Sequence, residues 1–354
     1  MNKKLISIAV AAALAPAVAM ADDVTVYGRV HVSVDSVTGS TAAGKSDTAL
    51  NSNSSRFGVK GQHDLEYGLK GVFQLESGVN AVGRSGVSDG NGGTTSGQVF
   101  SNARDMFIGV DSSDFGSIKA GRMGGANQWA YDSNLFADQM GDAGNFNQGR
   151  GVGGRLSGVL VYQTPTVSGF NASLTYIPGS TLDSKAKSVS GHDSYGVKFD
   201  YANMGINVHG VYFKTLTTLE DSKNGSLAAS YSLGDAMVTA QWVNSKQKSP
   251  TSASTTQNVY NIGAAYNLGE NDVIKAQYSS ADNLSRSPQS GGSQIAIGYD
   301  HNLSKKMALH AVLARTNNDA NAAFTVDGYG HGGGSSNVAG KNHNGASIGM
   351  SYNF

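Results

Sequence analysis

Val24-Thr25-Val26-Tyr27-Gly28-Arg29-Val30-His31-Val32-Ser33-Val34-Asp35-Ser36-Val37 is the stretch on which the fold turns. Val24, Val26, Val30, Val32 and Val34 fall on one face of an extended chain, and Thr25, Arg29, His31, Ser33 and Asp35 on the other. Successive side chains of a strand point to opposite faces, so the alternation predicts an amphipathic strand. At the far end Ala346, Ile348, Met350, Tyr352 and Phe354 share a face opposed by Ser347, Gly349, Ser351 and Asn353. The same period recurs near residues 55–63, 69–77, 103–110, 116–123, 157–164, 170–176, 193–201, 204–214, 226–233, 236–246, 257–268, 272–279, 293–303 and 307–316. With the two ends that makes sixteen candidate strands, an even number.

Composition agrees with a sheet protein rich in turns. Gly is 47 of 354 residues, Pro only 5 and charged residues 15%, which excludes a collagen and a highly charged disordered chain. The absence of Cys removes disulfides, thiolate metal sites, iron–sulfur clusters and a cysteine nucleophile. Formal net charge is zero, so the chain as a whole carries no electrostatic footprint for nucleic acid.

Residues 1–21 read as a secretory signal peptide. Lys3 and Lys4 form a basic start, Leu5 to Leu14 an apolar core, and Ala19-Met20-Ala21 a small-residue cleavage site before Asp22. An anchoring helix fits less well, because the apolar run is short and Pro16 interrupts it. The expected mature chain is 22–354, with formal charge −2 after loss of the two lysines. Beyond residue 21 no apolar stretch is long enough for a spanning helix.

Connection lengths alternate. Short turns are marked by Asp64 to Gly68, Asp111 to Asp114, Thr164 to Thr166, Ala202-Asn203, Leu233 to Asp235, Leu268 to Asn271 and Asn302 to Lys305. Long polar loops, such as Thr38 to Asn53, Gly78 to Phe100, Gly124 to Gly154 and Asn317 to Asn344, take the alternate junctions, with a shorter one at Thr215 to Gly225. Antiparallel neighbours reverse at every junction, so one end of the sheet collects the short turns and the other the long loops. Alternation alone also fits a secreted β-sandwich, whose apolar faces pack on each other. The two unlike ends, strands of membrane-crossing length, and Tyr201, Tyr231, Tyr266, Tyr299 and Phe354 near strand ends favour an all-β, 16-stranded antiparallel transmembrane barrel. Its short turns would be periplasmic and its long loops external.

These residues resemble the Gram-negative general diffusion porins, in particular their neisserial-type, sixteen-stranded branch. Val24-Thr25-Val26-Tyr27-Gly28 is similar to that family's opening strand and Ser55-Arg56-Phe57-Gly58-Val59-Lys60-Gly61 to its second. Gly68 to Glu76, Phe115-Gly116, Gly121-Arg122 and the terminal Tyr352-Asn353-Phe354 follow in matching order over the whole mature chain. Two departures touch the pore lining: Arg155 to Val159 lacks an Asn-rich run, and His63-Asp64 stands where relatives often carry two acids.

The resemblance implies a homotrimer of barrels in the outer membrane, each a water-filled channel for ions and small hydrophilic solutes. Lipids, lipopolysaccharide and the barrel-assembly machinery are the other implied partners, with Phe354 as the assembly signal. It implies a third loop, Met123 to about Gly154, folded inward as a constriction. Arg56, Arg104 and Arg155 match positions of inward arginines, and Arg122 closes the Gly-Arg motif. Asp132, Asp138 and Asp142 are the candidate opposing carboxylates, the two sets making a transverse field.

Motifs for chemistry are weak. Gly345-Ala346-Ser347-Ile348-Gly349 matches a nucleophile elbow, yet it sits inside the last strand with no helix after it. Gly149/Gly151/Gly154 and Gly328/Gly330/Gly333 match the dinucleotide fingerprint without its strand-to-helix context. His331 and His343 flank a glycine run with no third ligand at zinc-like spacing. The expectation is a channel with no reaction, cofactor, metal or nucleic-acid partner. The alternatives are a barrel enzyme, which would gather acid, base and nucleophile at one rim, and an adhesin acting through external loops.

Overall fold

The structure is a computed structural model that describes residues 23–38, 47–83, 100–124, 133–146, 155–179, 193–216, 221–248, 253–332 and 337–354. Residues 1–21 therefore lie outside the described residues. The strands are β1 (Asp23–Thr38), β2 (Asp47–Ser52), β3 (Arg56–Asp64), β4 (Leu69–Val79), β5 (Phe100–Ser112), β6 (Gly116–Gly124), β7 (Arg155–Gln163), β8 (Phe170–Ile177), β9 (Ser194–Asn203), β10 (Ile206–Leu216), β11 (Asp221–Leu233), β12 (Ala236–Lys248), β13 (Thr255–Asn267), β14 (Asp272–Ala281), β15 (Gly292–Asn302), β16 (Met307–Asn318) and β17 (His343–Asn353).

From β3 onward each strand pairs antiparallel with the next, and β17 returns to β1 with Arg29 opposite Asn353 and Thr38 opposite Asn344. The ring of staves is closed, and among the described residues only β2 pairs on one side alone, with β1. β2 and β3 both lie along β1 and form one stave broken at 53–55, which makes sixteen staves in all. The expected loop Thr38 to Asn53 is thus corrected: its last part is strand. Asn51 and Ser52 are buried polar groups, Asn51 facing inward and donating to Asp35, Ser52 bonding the end of β4 through Val79 O. Asn53 donates its backbone N–H to His31 O at 2.9 Å and its amide to Ser33 Oγ at 2.8 Å. A polar run that reads as a turn is an inner wall.

The two faces are inverted relative to a packed sandwich. Ile348, Ile108 and Leu313 are 71%, 70% and 65% exposed, whereas His31, Ser33 and Asp35 are 0%, 1% and 3% exposed. Val26, Val30 and Val34 of the opening strand point outward. Large aliphatic groups left in contact with the surroundings, strand after strand, suit hydrocarbon and not water. Backbone groups in hydrocarbon have no water to bond, so the closed ladder satisfies what the membrane cannot.

Closure is completed by the last residue. Phe354 N donates to Gly28 O at 3.1 Å and Gly28 N to Phe354 O at 3.2 Å. The Phe354 ring lies over Gly28, where a Cβ would come within 2.3 Å of Phe354 Cζ, and it stacks on Tyr352 with centroids 6.5 Å apart. Deleting Phe354 removes both hydrogen bonds and the ring at the seam. The expected result is less heat-modifiable barrel on unboiled gels, and an unchanged yield would show that the seam does not need it.

Candidate functional site

Residues 133–146 lie inside the barrel, against the wall formed by β13 to β17. Phe136 and Met140 are fully buried among Val37, Ala296, Val312, Ala314 and Val326. The wall makes room with small residues: a Cβ on Gly298 would stand 2.7 Å from Phe136 Cε1, and one on Gly345 2.4 Å from Met140 Sδ. Gly141 has φ +84, a region open chiefly to glycine, and its own Cβ would strike Ala296 Cβ at 2.4 Å. Two wall amides grip the segment. Gln277 Nε2 donates to Asn134 Oδ1 at 3.2 Å and Gln294 Nε2 to Gly141 O at 2.7 Å, while Gln277 Oε1 accepts from Leu135 N.

The elbow-like glycines near the carboxy terminus are explained by this packing. Gly345 leaves space for Met140 and Gly349 for the His310 ring, both within one uninterrupted strand. Gly149/Gly151/Gly154 and Gly333 lie outside the described residues. His331 and His343 are each engaged separately, His331 Nε2 at 3.3 Å from Asp35 Oδ2 and His343 Nδ1 accepting from Val326 N at 3.2 Å. Among the described residues no cluster of three His, Asp or Glu could hold a metal ion.

Asp142 is the hub of the segment and not a group on its surface. It is fully buried and accepts from Asp138 N at 2.9 Å, Gly144 N at 2.7 Å and Asn134 Nδ2 at 2.6 Å. Burial, and then the Asp138 carboxylate, push its carboxyl up to about 7, against the pull of those three donors. A second loop, between β16 and β17, docks beside it. Gly141 N donates to Val326 O at 2.7 Å and Tyr329 N to Asn145 Oδ1 at 2.8 Å. Ser54 Oγ and Gly332 N tie this loop to the break in the second stave. Burial alone would lower the His331 pKa, but the hydrogen bond and charge of Asp35 outweigh it and raise it.

Below these loops lies an aqueous space of about 680 Å³. Arg56, Arg104, Arg155 and Asp138 of the expected set line it. Asp138 Oδ2 is 3.1 Å from Arg29 and 3.9 Å from Arg56. Arg104 is paired with Glu76, which also accepts from Tyr27 Oη at 2.9 Å, and Arg155 Nε lies 2.7 Å from Asp105 Oδ1. Arg122 is not brought into this lining: it donates to Ala103 O at 2.9 Å and Ser157 Oγ at 2.8 Å. A register shift between Gly121 and Met123 interrupts the alternation there, so strand parity no longer places Arg122. Asp142 does not line the space either, and Asp132 lies outside the described residues.

Residues that sequence reading did not single out complete the lining. Arg29 and Lys60 sit on inward positions of β1 and β3, with Lys60 Nζ 5.4 Å from the Tyr27 ring centroid. Inward parity was the available signal for both. Tyr329 also lines it, and nothing in the long polar stretch between β16 and β17 marks it; Gly330 beside it stands out only as part of a glycine pattern read for a different chemistry.

Replacing Phe136 and Met140 together by Ala removes two fully buried side chains, each worth about 2–5 kcal/mol. The expected result is protease cleavage within 133–146 while the barrel stays heat-modifiable; continued protection would show that the wall amides alone hold the segment. Protonation acts in a defined direction. Because the folded pKa of Asp142 is raised, its contribution to docking is full below the unfolded value of about 4 and is lost as pH climbs through about 7. Current noise from loop movement should therefore grow between those limits and level off above them. In Asp142→Asn the growth between those limits should disappear.

The comparisons agree with this geometry. Residues 7–321 match the family model described as Gram-negative porin. The chain is 30% identical, over the full length of both, to outer membrane porin protein 32 of Delftia acidovorans. Among solved structures it is similar to the anion-selective porin from Comamonas acidovorans, with 26% identity, a TM-score of 0.78, and coverage of 94% of this chain and 99% of that one. It shares its fold with a loop L8 deletion mutant of OmpT, an outer membrane protein of Vibrio cholerae, at 12% identity and a TM-score of 0.67, covering 94% of this chain and 99% of that one. A closed barrel with an apolar exterior, a polar lumen and a full-length match to this family leads to one conclusion: the chain belongs to the Gram-negative porins and is a passive diffusion channel of the outer membrane.

Proposed function

We propose that the channel favours anions and that residues 133–146, with the loop after β16, set its narrowest section. The observation that carries this is the charge around the aqueous space. Arg29, Arg56, Lys60, Arg104 and Arg155 face Glu76, Asp105 and Asp138, leaving a local positive surplus. That surplus opposes the negative formal charge of the expected mature chain, and proximity decides, since charges beyond about 10 Å are screened at 0.1 M salt. The anion-selective relative from Comamonas supports the same sign.

The channel carries solutes without a reaction of its own, and enzyme and adhesin readings have no comparable support from the lining. We further propose that residues 1–21 are removed on export, that Phe354 is read by the assembly machinery, and that three barrels associate. A trimer form of Vibrio cholerae OmpT, which shares the fold, supports the last of these.

One cation about 7 Å from a passing anion contributes roughly 0.6 kcal/mol in a water-like medium, a factor of about three at most. Selectivity is thus a bias. Arg56→Gln with Lys60→Gln should move the reversal potential toward cations in about 0.1 M salt and do little in about 1 M, where the screening length falls to about 3 Å. An unchanged reversal potential at low salt would remove these side chains from the conduction path.

A further inference from the structure

Further toward the short turns the lumen wall encloses a second space, of about 490 Å³, lined by β1 and β3 to β6. Lys60 and Gln74 line both this space and the arginine-lined one above it. Register fixes its plan. Lys60, Gln74, Phe107 and Gly121 are successive partners across β3 to β6, and Gln62, Val72, Gly109 and Lys119 form the next row toward the short turns. Ile108 and Ile118 are 70% and 55% exposed on the outer face, so Phe107 and Lys119, one residue away on the same strands, point inward.

A phenyl ring on the lumen side breaks the rule that makes this face polar. Elsewhere inward apolar groups of the wall, Phe213 and Val243 among them, are buried with Phe146 of the docked segment. Phe107 and Val72 belong to neither buried cluster, and every described residue lining the space lies on a strand, so none of the described loops covers them. The ring faces water.

Its neighbours keep it clear. Gly121 beside it has no side chain, and a Cβ there would stand 2.7 Å from Phe107 Cα. Gly109, two residues along, gives its room to Lys119: a Cβ would stand 2.8 Å from Lys119 Cγ, and the ammonium lies 5.4 Å from the Phe107 ring centroid. A ring and a held cation, side by side in the lumen, both attract the π surface of a second ring.

Charge is even around this space, and partnership decides which group stays open. Lys60, Lys70 and Lys119 face the lumen with Asp23, Asp64 and Asp111. Lys70 Nζ lies 3.2 Å from Asp64 Oδ1 and Lys119 Nζ 3.7 Å from Asp111 Oδ1, while Asp23 Oδ2 accepts from Gln62 Nε2 at 3.1 Å. Above, Glu76, Asp105 and Asp138 each meet an arginine. Among the described residues Lys60 makes no ion pair, and its ammonium rests 5.4 Å from the Tyr27 ring centroid. Asp23 and Asp111 lie toward the short turns, so an anion held here turns its charge to Lys60 and its apolar end to Phe107. Those two residues stand two strands apart, about 10 Å between Cα atoms, a span that a short arm between charge and ring fits.

We propose that this space binds aryl monocarboxylates with a short flexible arm, the ring on Phe107 and Val72, the carboxylate at Lys60, and the Gln74 amide donating between them. Binding inside a channel raises flux at low concentration and saturates it at high concentration, so the channel treats this class differently from other small anions. The site rests on the passive-channel reading and not on the sign of the bias in the space above.

The test is block of ion current in a planar bilayer by hydrocinnamate, with cyclohexanepropionate as its saturated companion. Hydrocinnamate should bind about tenfold more tightly, since only an aromatic ring gains from both the Phe107 face and the Lys119 ammonium. Both solutes carry one negative charge, so a channel without anion bias would weaken them alike and leave this ratio intact. Phe107→Leu should bring the ratio near one, and Phe107→Tyr, which keeps the ring, should retain it. Lys60→Gln should weaken hydrocinnamate about fivefold, the worth of one cation about 4 Å away in a water-like medium, and leave neutral hydrocinnamyl alcohol unchanged. A ratio near one in the parent, its retention in Phe107→Leu, its loss in Phe107→Tyr, or equal weakening of acid and alcohol in Lys60→Gln would each overturn the proposal.

Discussion

A backbone amide in hydrocarbon has no water to bond, and every other feature of this molecule follows from meeting that demand. A closed antiparallel sheet pairs each stave of the wall with its neighbours. Closure then forces side chains alternately outward and inward, so one sequence period has to satisfy two solvents. Val26, Val30 and Val34 answer to lipid while Arg29, His31 and Asp35 answer to the lumen, one residue apart. The lumen is thereby made polar by the same rule that makes the exterior apolar.

A sixteen-stave ring is too wide for its own wall side chains to fill, so the interior is shaped by chain that leaves the wall. Residues 133–146 and the loop after β16 dock on each other and on a patch where Gly298, Gly345, Ala296 and Ala314 have given up side-chain volume. Their position in turn decides which charges face open water. Asp142 is spent on organising the segment, whereas Asp138, four residues earlier, meets Arg29 and Arg56. Division of labour between two nearby acids is a matter of burial.

The strands were legible because period two, repeated in every stave, survives errors of a few residues at each boundary. The second stave was half missed because Asn51 to Ser55, all polar, has the composition of a turn while bonding as a wall. Within the site, the inward positions of Arg56, Arg104 and Arg155 are legible from resemblance, and that of Arg29 from the parity of β1. Arg122, expected from the Gly-Arg motif, stands at a bulge and bonds Ala103 and Ser157 outside the lined space. Tyr329 had no local signal at all. Its position depends on Asn145 and Gly144, nearly two hundred residues away in the chain.

The seam between β1 and β17 has a consequence for the order of events in making the barrel. Arg29 meets Asn353, so the ladder that seals the ring joins the first described strand to the last. No truncated length of chain can be a smaller finished barrel, and every partial product carries two bare edges able to pair with a neighbouring copy. Sealing must come after synthesis of the whole chain. The margin between a sound channel and an aggregate is then the time those two edges wait for each other.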